Sequence, residues 1–156
     1  MLKSYSATQV MWAVFATTLA VIIGAWFFEY AGYPPCELCL KQRWAYYAVV
    51  PLSAVFAVAA SNNPNVLRYG LYLVGLIMLA SCIFGIYHAG VEWKFWQGPT
   101  SCTGGGAFTS ALPDLSKPEA MCDQPAIRIF GISLAGYNAL ISGFVSWLAL
   151  SKARQA

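Results

Sequence analysis

The sequence predicts an all-α membrane protein, a four-transmembrane-helix bundle with one long extracytoplasmic loop. Of its 156 residues, 59% are hydrophobic and only 10% are charged, whereas about 25% are charged in a typical soluble domain. Polar side chains are too few to cover a soluble globule of this size, so lipid is the expected solvent. Four apolar runs lie at about residues 9–28, 44–60, 69–89 and 127–150, each long enough to cross a hydrocarbon layer of about 30 Å.

The first two runs are each interpreted as a membrane helix. The first is too long for the apolar part of a signal peptide, and no small-residue cleavage site follows it, so we expect it to be retained. It ends in the aromatic cluster Phe27–Tyr30, which suits a membrane interface. The second run is the shortest and contains Pro51. We expect its helix to begin earlier, within residues 34–43.

The last two runs carry small residues at positions suited to helix packing. Cys82 lies within the third run, where we expect the thiol to pack as a small apolar group. The fourth run contains Gly131, Gly136 and Gly143, and small residues let membrane helices approach closely.

The distribution of Lys and Arg predicts the orientation in the membrane. Four spans put the termini and residues 61–68 on one side, and loops of about residues 29–43 and 90–126 on the other. The terminal side carries its positive charges in very little sequence: Lys3, Arg68, Lys152 and Arg154. Dense positive charge marks the cytoplasmic side, so we expect cytoplasmic termini, periplasmic loops and one integral membrane domain over residues 1–156. The net charge of +3 is too scattered to indicate nucleic acid as a partner.

The segment Pro34–Arg43 contains two cysteines in a Cys-x-x-Cys arrangement. Prolines before it favour a helix start, which places Cys36 at or near a helix N-terminus. Free backbone N–H groups and the helix dipole stabilise a thiolate there. Cys36, Cys39 and Arg43 are spaced i, i+3 and i+7, so they share one helix face. The pattern predicts a redox-active dithiol with a fixed positive charge about one turn beyond the second sulfur.

Other uses of this cysteine pair fit less well. A Cys-x-x-Cys disulfide closes a very small loop and stabilises a fold little. A zinc ribbon needs a second such pair or a histidine pair, and covalent haem needs histidine where Leu40 stands. His88 is the only histidine, so the sequence predicts no metal site.

A second cysteine pair, Cys102 and Cys122, lies in the long loop, and Gly104–Gly106 follow the first of them closely. The spacing suggests the pairs Cys36–Cys39 and Cys102–Cys122, although four cysteines allow three connectivities. As a staple, the loop pair would contribute roughly 3 kcal/mol. As a redox pair on a flexible loop, it would exchange disulfides both with another protein and with the Cys-x-x-Cys segment.

These residues suggest a relay of electrons. A soluble dithiol protein reduces the loop pair, the loop pair reduces Cys36–Cys39, and this pair passes two electrons to a carrier in the lipid. No nucleotide-binding glycine motif and no paired haem ligands occur, so a quinone fits best, with Arg43 donating hydrogen bonds to its carbonyl oxygen. His88 ends the third run on the same side. It either makes ordinary hydrogen bonds or faces the same pocket as Arg43.

The chain resembles the DsbB family of bacterial quinone-dependent thiol oxidases over nearly its whole length. The resemblance rests on the four spans, the pattern Cys36-x-x-Cys39-x-x-x-Arg43, His88 at the end of the third span and the loop cysteines. It implies an inner-membrane protein whose Cys36–Cys39 pair is re-oxidised by ubiquinone or menaquinone, with Arg43 and His88 at the quinone site. It also implies that Cys102 forms a mixed disulfide with a DsbA-like periplasmic thioredoxin-fold protein, after which Cys122 exchanges with the Cys36–Cys39 pair.

Two functions of other classes stay open at this point. A structural four-span membrane protein would keep both disulfides permanently oxidised. A conduit for reductant would run electrons in the opposite direction and would need a cysteine on the cytoplasmic side, whereas Cys82 lies within a span.

Overall fold

The computed structural model describes residues 5–59, 63–99 and 121–155. These residues form four helices and one short antiparallel β-hairpin. The helices are α1 (Ala7–Tyr30), α2 (Glu37–Ala59), α3 (Pro64–Glu92) and α4 (Leu134–Ala153). The hairpin strands are β1 (Arg128–Ile129) and β2 (Ile132–Ser133). The predicted all-α class is therefore confirmed, whereas residues 100–120 of the predicted long loop, with Cys102, lie outside the described residues.

Polar side chains fix where the helices begin. Ser6 and Gln9 form a capping box before α1. The Ser6 N–H donates to Gln9 Oε1 at 2.8 Å, and the Gln9 N–H donates to Ser6 Oγ at 3.1 Å. Asn63 caps α3, and Pro64 occupies its first turn, where a missing N–H costs nothing. Ser133 caps α4 by accepting a hydrogen bond from the backbone N–H of Gly136.

The helices α3 and α4 pack closely, and buried polar contacts fix their alignment. A Cβ at Gly85 would come within 2.9 Å of the backbone nitrogen of Ala139, so the two helices approach each other as small residues allow. The Ser146 hydroxyl donates to the Gly75 carbonyl at 2.8 Å. Between α2 and α4, the Tyr46 hydroxyl donates to Asn138 Oδ1 at 2.6 Å in the core.

Three of the described helices, α1, α3 and α4, are long and apolar enough to cross a membrane. The helix α2 has a similar length, but its first two turns carry Glu37, Lys41 and Arg43, whose charges lower its hydropathy. Many large apolar side chains face outward from the bundle, as expected where lipid is the solvent. The chain is a membrane protein, and its fourth span stays a prediction.

The observed helix bounds differ from the predicted ones chiefly at the start of α4. As expected, α2 begins before its apolar part. The fourth helix was predicted from about residue 127 with Gly131 inside it, and this is wrong. Phe130 and Gly131 have φ values of 50° and 84°, which a right-handed helix excludes. They form the turn of the hairpin, and α4 begins only at Leu134.

Candidate redox site

The candidate site lies at the end of the bundle where α1 and α3 finish and α2 and α4 begin. The connection between α1 and α2 brings Cys36 there, and the last turns of α3 bring His88 and Glu92. The segment before the hairpin brings Cys122. Three parts of the chain that are distant in sequence therefore converge on one end.

Cys36 is the residue that caps the N-terminus of α2. Its carbonyl accepts the first helical hydrogen bond, from Leu40 N at 3.0 Å, and its sulfur accepts a hydrogen bond from Cys39 N at 3.2 Å. This is the geometry of a serine or aspartate cap with sulfur in place of oxygen. The prediction that Cys36 lies at a helix N-terminus is confirmed. The backbone N–H and the helix dipole both favour the thiolate.

The surroundings of Cys36 lower its pKa. Cys36 and Cys39 are free thiols, and Cys36 Sγ lies 3.6 Å from His88 Nε2. A hydrogen bond from the Cys39 thiol lowers the pKa of Cys36 most, His88 lowers it further, and burial opposes both. The result is a shift of this pKa from 9.0 to about 5. The same hydrogen bond and burial raise the pKa of Cys39, so Cys36 is the sulfur of the pair that ionises first.

We expect alkylation of Cys36 in the reduced protein to persist into acid, with its half-maximal rate near pH 5. The thiolate reacts and the thiol does not. Because the folded state has the lower pKa, the thiolate stabilises the fold fully above pH 9 and this contribution is lost as the pH falls through about 5. The measurement is the rate of iodoacetamide labelling against pH, by peptide mass spectrometry. In His88→Gln the midpoint should move upward, and a midpoint near 9 in the unsubstituted protein would contradict the geometry.

Glu92 is a site residue that the sequence analysis missed. It is 8% exposed, and its Oε1 lies 3.8 Å from His88 Nε2, one helical turn away. Within the part of the chain that the structure describes, Glu92 Oε2 and His88 Nδ1 have no hydrogen-bond partner. The spacing of His88 and Glu92, i and i+4, was the available signal, because such residues share a helix face.

Cys122 is buried next to the Cys-x-x-Cys segment. It is disulfide-bonded and 1% exposed, and it forms one buried cluster with Cys36 and Leu38. Asp123 forms an ion pair with Lys94, which follows α3, and this pair ties the Cys122 segment to the end of α3. The predicted partner Cys102 lies outside the described residues, so the predicted pairing stays a prediction.

Arg43 lies between α1 and α2. Its Nη1 donates to Glu29 Oε2 at 2.5 Å, and its Nη2 donates to the Ala25 carbonyl at 3.4 Å. The arginine side chain is 11% exposed, so the guanidinium is largely removed from water and is fixed by these contacts. Its positive charge is neutralised by Glu29.

A cavity of about 300 Å³ opens beside the two sulfurs. Cys36, Cys39 and Glu92 line one part of it, and residues 32–34, 124–127 and 134–135 line most of the rest. Its lining is mainly apolar with a few polar groups, as in small-molecule sites generally. Arg43 and His88 are not among the lining residues.

Comparisons with known proteins identify the family of the chain. The family model described as "Disulfide bond formation protein DsbB" matches residues 7–151. The chain belongs to the DsbB family. The DsbB match covers α1, α2 and α3 in full and α4 as far as Ser151. Membership in this family identifies the chain as a membrane protein that takes part in disulfide bond formation, with a disulfide oxidoreductase role.

Individual proteins are similar to this chain over most of their length. "Uncharacterized protein RP370" of Rickettsia prowazekii is 31% identical over 70% of this chain and 66% of its own. "Disulfide bond formation protein B" of Azoarcus is 29% identical over 88% of this chain and 87% of its own. "Probable disulfide formation protein C 2" of Bacillus anthracis is 22% identical, with 85% and 83% covered. No solved structure matches the chain significantly.

The structure brings together most of the residues predicted for this DsbB protein. Cys36, Cys39, His88 and Cys122 meet at one end of the bundle, while Arg43 contacts Glu29 rather than either sulfur. Cys102 is not among the described residues. The predicted quinone contacts of Arg43 and His88 stay predictions.

Proposed function

We propose that this protein is a membrane thiol oxidase that re-oxidises a periplasmic DsbA-like dithiol protein and passes the electrons to ubiquinone or menaquinone. One observation carries the proposal: the disulfide-bonded Cys122 lies in the same buried cluster as Cys36, whose pKa is lowered. A disulfide sulfur beside a stabilised thiolate is the arrangement that thiol–disulfide exchange requires.

Each exchange step conserves electrons. A thiolate of the partner attacks the loop disulfide, forms a mixed disulfide and displaces one loop thiolate. The partner's second thiolate then attacks the mixed disulfide, which closes the partner's own disulfide and leaves a dithiol on the loop. The loop dithiol reduces an oxidised Cys36–Cys39 pair in the same way, so two electrons and two protons move at each step. Cys36 is the better leaving group of its pair, because its pKa is lowered to about 5.

His88 and Glu92 handle charge next to the sulfur. His88 Nε2 lies 3.6 Å from Cys36 Sγ and 3.8 Å from Glu92 Oε1. A hydrogen bond donated by His88 Nε2 stabilises the Cys36 thiolate, and Glu92 lies one helical turn away beside the same nitrogen. His88 is 1% exposed, so this interaction is little screened by water.

The residues around the sulfurs fit a quinone head group. The cavity of about 300 Å³ is at the small end of the range for ligand sites, and its apolar lining suits a flat ring. A bound quinone supplies an acceptor for two electrons and two protons. Although neither residue lines the cavity, His88 and Arg43 are proposed as the hydrogen-bond donors of the quinone, Arg43 through a change of partner from Glu29.

We propose a four-span inner-membrane orientation, with residues 1–156 as one integral domain and both termini in the cytoplasm. The four described cysteine and histidine side chains of the site share one end of the bundle. The opposite end carries Arg68, Lys152 and Arg154, as cytoplasmic ends do. The redox end then faces the periplasm, where a thioredoxin-fold partner has access.

Turnover by the purified full chain in lipid nanodiscs tests the proposed function. A reduced DsbA-like protein is mixed with ubiquinone or menaquinone analogues, and quinone absorbance and partner thiols are followed together. We expect equal amounts of quinone reduced and partner disulfide formed, with no reaction when either is left out. Absence of turnover with every quinone and every thiol partner would favour a structural four-span protein with static disulfides.

Replacement of Arg43 by histidine is expected to raise the apparent KM for quinone roughly 10-fold or more with a smaller change in kcat, the loss expected for a charge-assisted hydrogen bond of about 1.5–3 kcal/mol. The matched control is Glu29→Gln, which releases the arginine from its ion pair and should leave KM equal or lower. Steady-state kinetics at varied quinone provide the measurement. A normal quinone dependence in Arg43→His would remove this residue from the quinone site.

A further inference from the structure

Three side chains of the site have the donor atoms and spacing of a metal site. Cys36 Sγ, Cys39 Sγ and a ring nitrogen of His88 all lie within 4.8 Å of one another. Thiolate sulfur and imidazole nitrogen are the donors that zinc prefers in proteins. The sequence offers no zinc ribbon, and this group depends on the fold, since α3 supplies the histidine to a cysteine pair on α2.

The distances match a tetrahedral shell. With Zn–S near 2.3 Å and Zn–N near 2.0–2.1 Å, a sulfur and a nitrogen on one tetrahedral ion lie about 3.6 Å apart. Cys36 Sγ and His88 Nε2 are separated by 3.6 Å. Glu92 Oε1 is 3.8 Å from the same nitrogen, slightly wider than the ~3.4 Å of a nitrogen–oxygen pair on zinc. Glu92 is not one of the residues whose donor atoms lie within 4.8 Å of one another, so its side chain would have to rotate to reach the fourth position.

The charge around the site also favours a cation. Cys36 and Glu92 are both at least nine-tenths buried, and Glu92 Oε2 has no hydrogen-bond partner among the described residues. Two nearby cations are engaged elsewhere, Arg43 with Glu29 and Lys94 with Asp123, whereas the charge of Arg128 acts on Glu92 but more weakly than burial does. A divalent ion would neutralise the Cys36 thiolate and favour the ionised form of Glu92 in a place that water screens poorly.

We propose that the dithiol form of this site binds a soft divalent cation, Zn²⁺ by its donor set, through Cys36, Cys39 and His88 with Glu92 as the fourth ligand. Binding displaces the thiol protons and moves no electrons. A Cys36–Cys39 disulfide has no thiolate to offer, so the oxidised form does not hold the ion. The bound ion covers the Cys36 sulfur and acts as a reversible brake on thiol oxidation. This consequence rests on the proposed function, whereas the binding itself does not.

Metal uptake by reduced and oxidised protein tests the proposal. The full chain carries Cys102→Ser and Cys122→Ser, so that Cys36–Cys39 is its only cysteine pair. Zn²⁺ affinity is measured anaerobically by competition with a chelating dye, and Co²⁺ reports tetrahedral thiolate coordination by its absorption. We expect one tightly held ion per reduced chain and none per oxidised chain.

Two variants identify the ligands. Since loss of outer-shell partners alone weakens metal sites roughly 10–100-fold, His88→Gln should weaken Zn²⁺ binding about 100-fold or more, and Glu92→Gln about 10-fold. Cys82→Ser, which removes the remaining free thiol, should change nothing. Thermal unfolding of the oxidised variants checks their folding. If His88→Gln does not fold, the Zn²⁺ affinity of Glu92→Gln alone tests the site.

Equal uptake by reduced and oxidised protein, or unchanged affinity in the histidine and glutamate variants, would overturn the site. A protein that binds Zn²⁺ as described but oxidises no thiol partner would refute the proposed function alone. Zn²⁺ inhibition of an active enzyme that fades in Glu92→Gln would connect the two.

Discussion

Serine at position 36 or 39 is expected to stop turnover with quinone, with kcat reduced about 1000-fold or more, as when a nucleophile is removed. No disulfide can form between one sulfur and one hydroxyl, so the site can neither accept electrons from the loop pair nor pass them on. Quinone reduction by the reduced partner, followed in nanodiscs, is the measurement. The effect should be equal for both variants, because a disulfide needs both sulfurs.

The fold supplies two controls for this experiment. Serine is a favoured N-cap residue, so Cys36→Ser should keep the start of α2 and its helical content, and lost activity then reports chemistry. Cys82 is a third free thiol that packs against α4 near Gly143, and Cys82→Ser should keep normal turnover. Wild-type rates in Cys39→Ser would show that electrons bypass this pair.

Local sequence patterns predicted the parts of the site that depend on local structure. Prolines before a cysteine indicate a helix start, and the structure places Cys36 Sγ against the N–H of Cys39 at that start. The apolar runs predicted the helices well, because backbone hydrogen bonds must be satisfied within each segment in lipid. The error at residues 127–133 has a local cause too: an apolar run does not reveal the positive φ of Phe130.

The contacts between helices could not be predicted in the same way. The helix spacing of Arg43 predicted a shared face with the sulfurs, but its side chain reaches Glu29 on α1 instead, because an opposite charge lies within its reach there. Similarly, Glu92 becomes a site residue only because α3 continues past His88 for another turn. Burial of Cys122 beside Cys36 depends on the packing of a segment whose sequence has no periodicity.

Replacement of either loop cysteine by serine is expected to abolish repeated oxidation of the protein partner while Cys36–Cys39 still reduces quinone once. In Cys102→Ser and in Cys122→Ser the loop disulfide cannot form, so the partner has no loop disulfide to attack, but the buried pair keeps its own sulfurs. Serine is close to cysteine in size, so the buried cluster with Leu38 should lose little packing. Stopped-flow quinone absorbance separates a single turnover from continuous turnover.

A small dithiol decides what the loop pair does in these variants. Dithiothreitol reaches Cys36–Cys39 without the loop, so it should restore continuous quinone reduction to both loop variants and not to Cys36→Ser. That pattern would assign the loop pair to the transfer between proteins and the Cys-x-x-Cys pair to the reaction with quinone. If both loop variants oxidised the protein partner at normal rates, the disulfide of Cys122 would be a staple, and the partner's electrons would enter directly at Cys36, the sulfur with the lowered pKa.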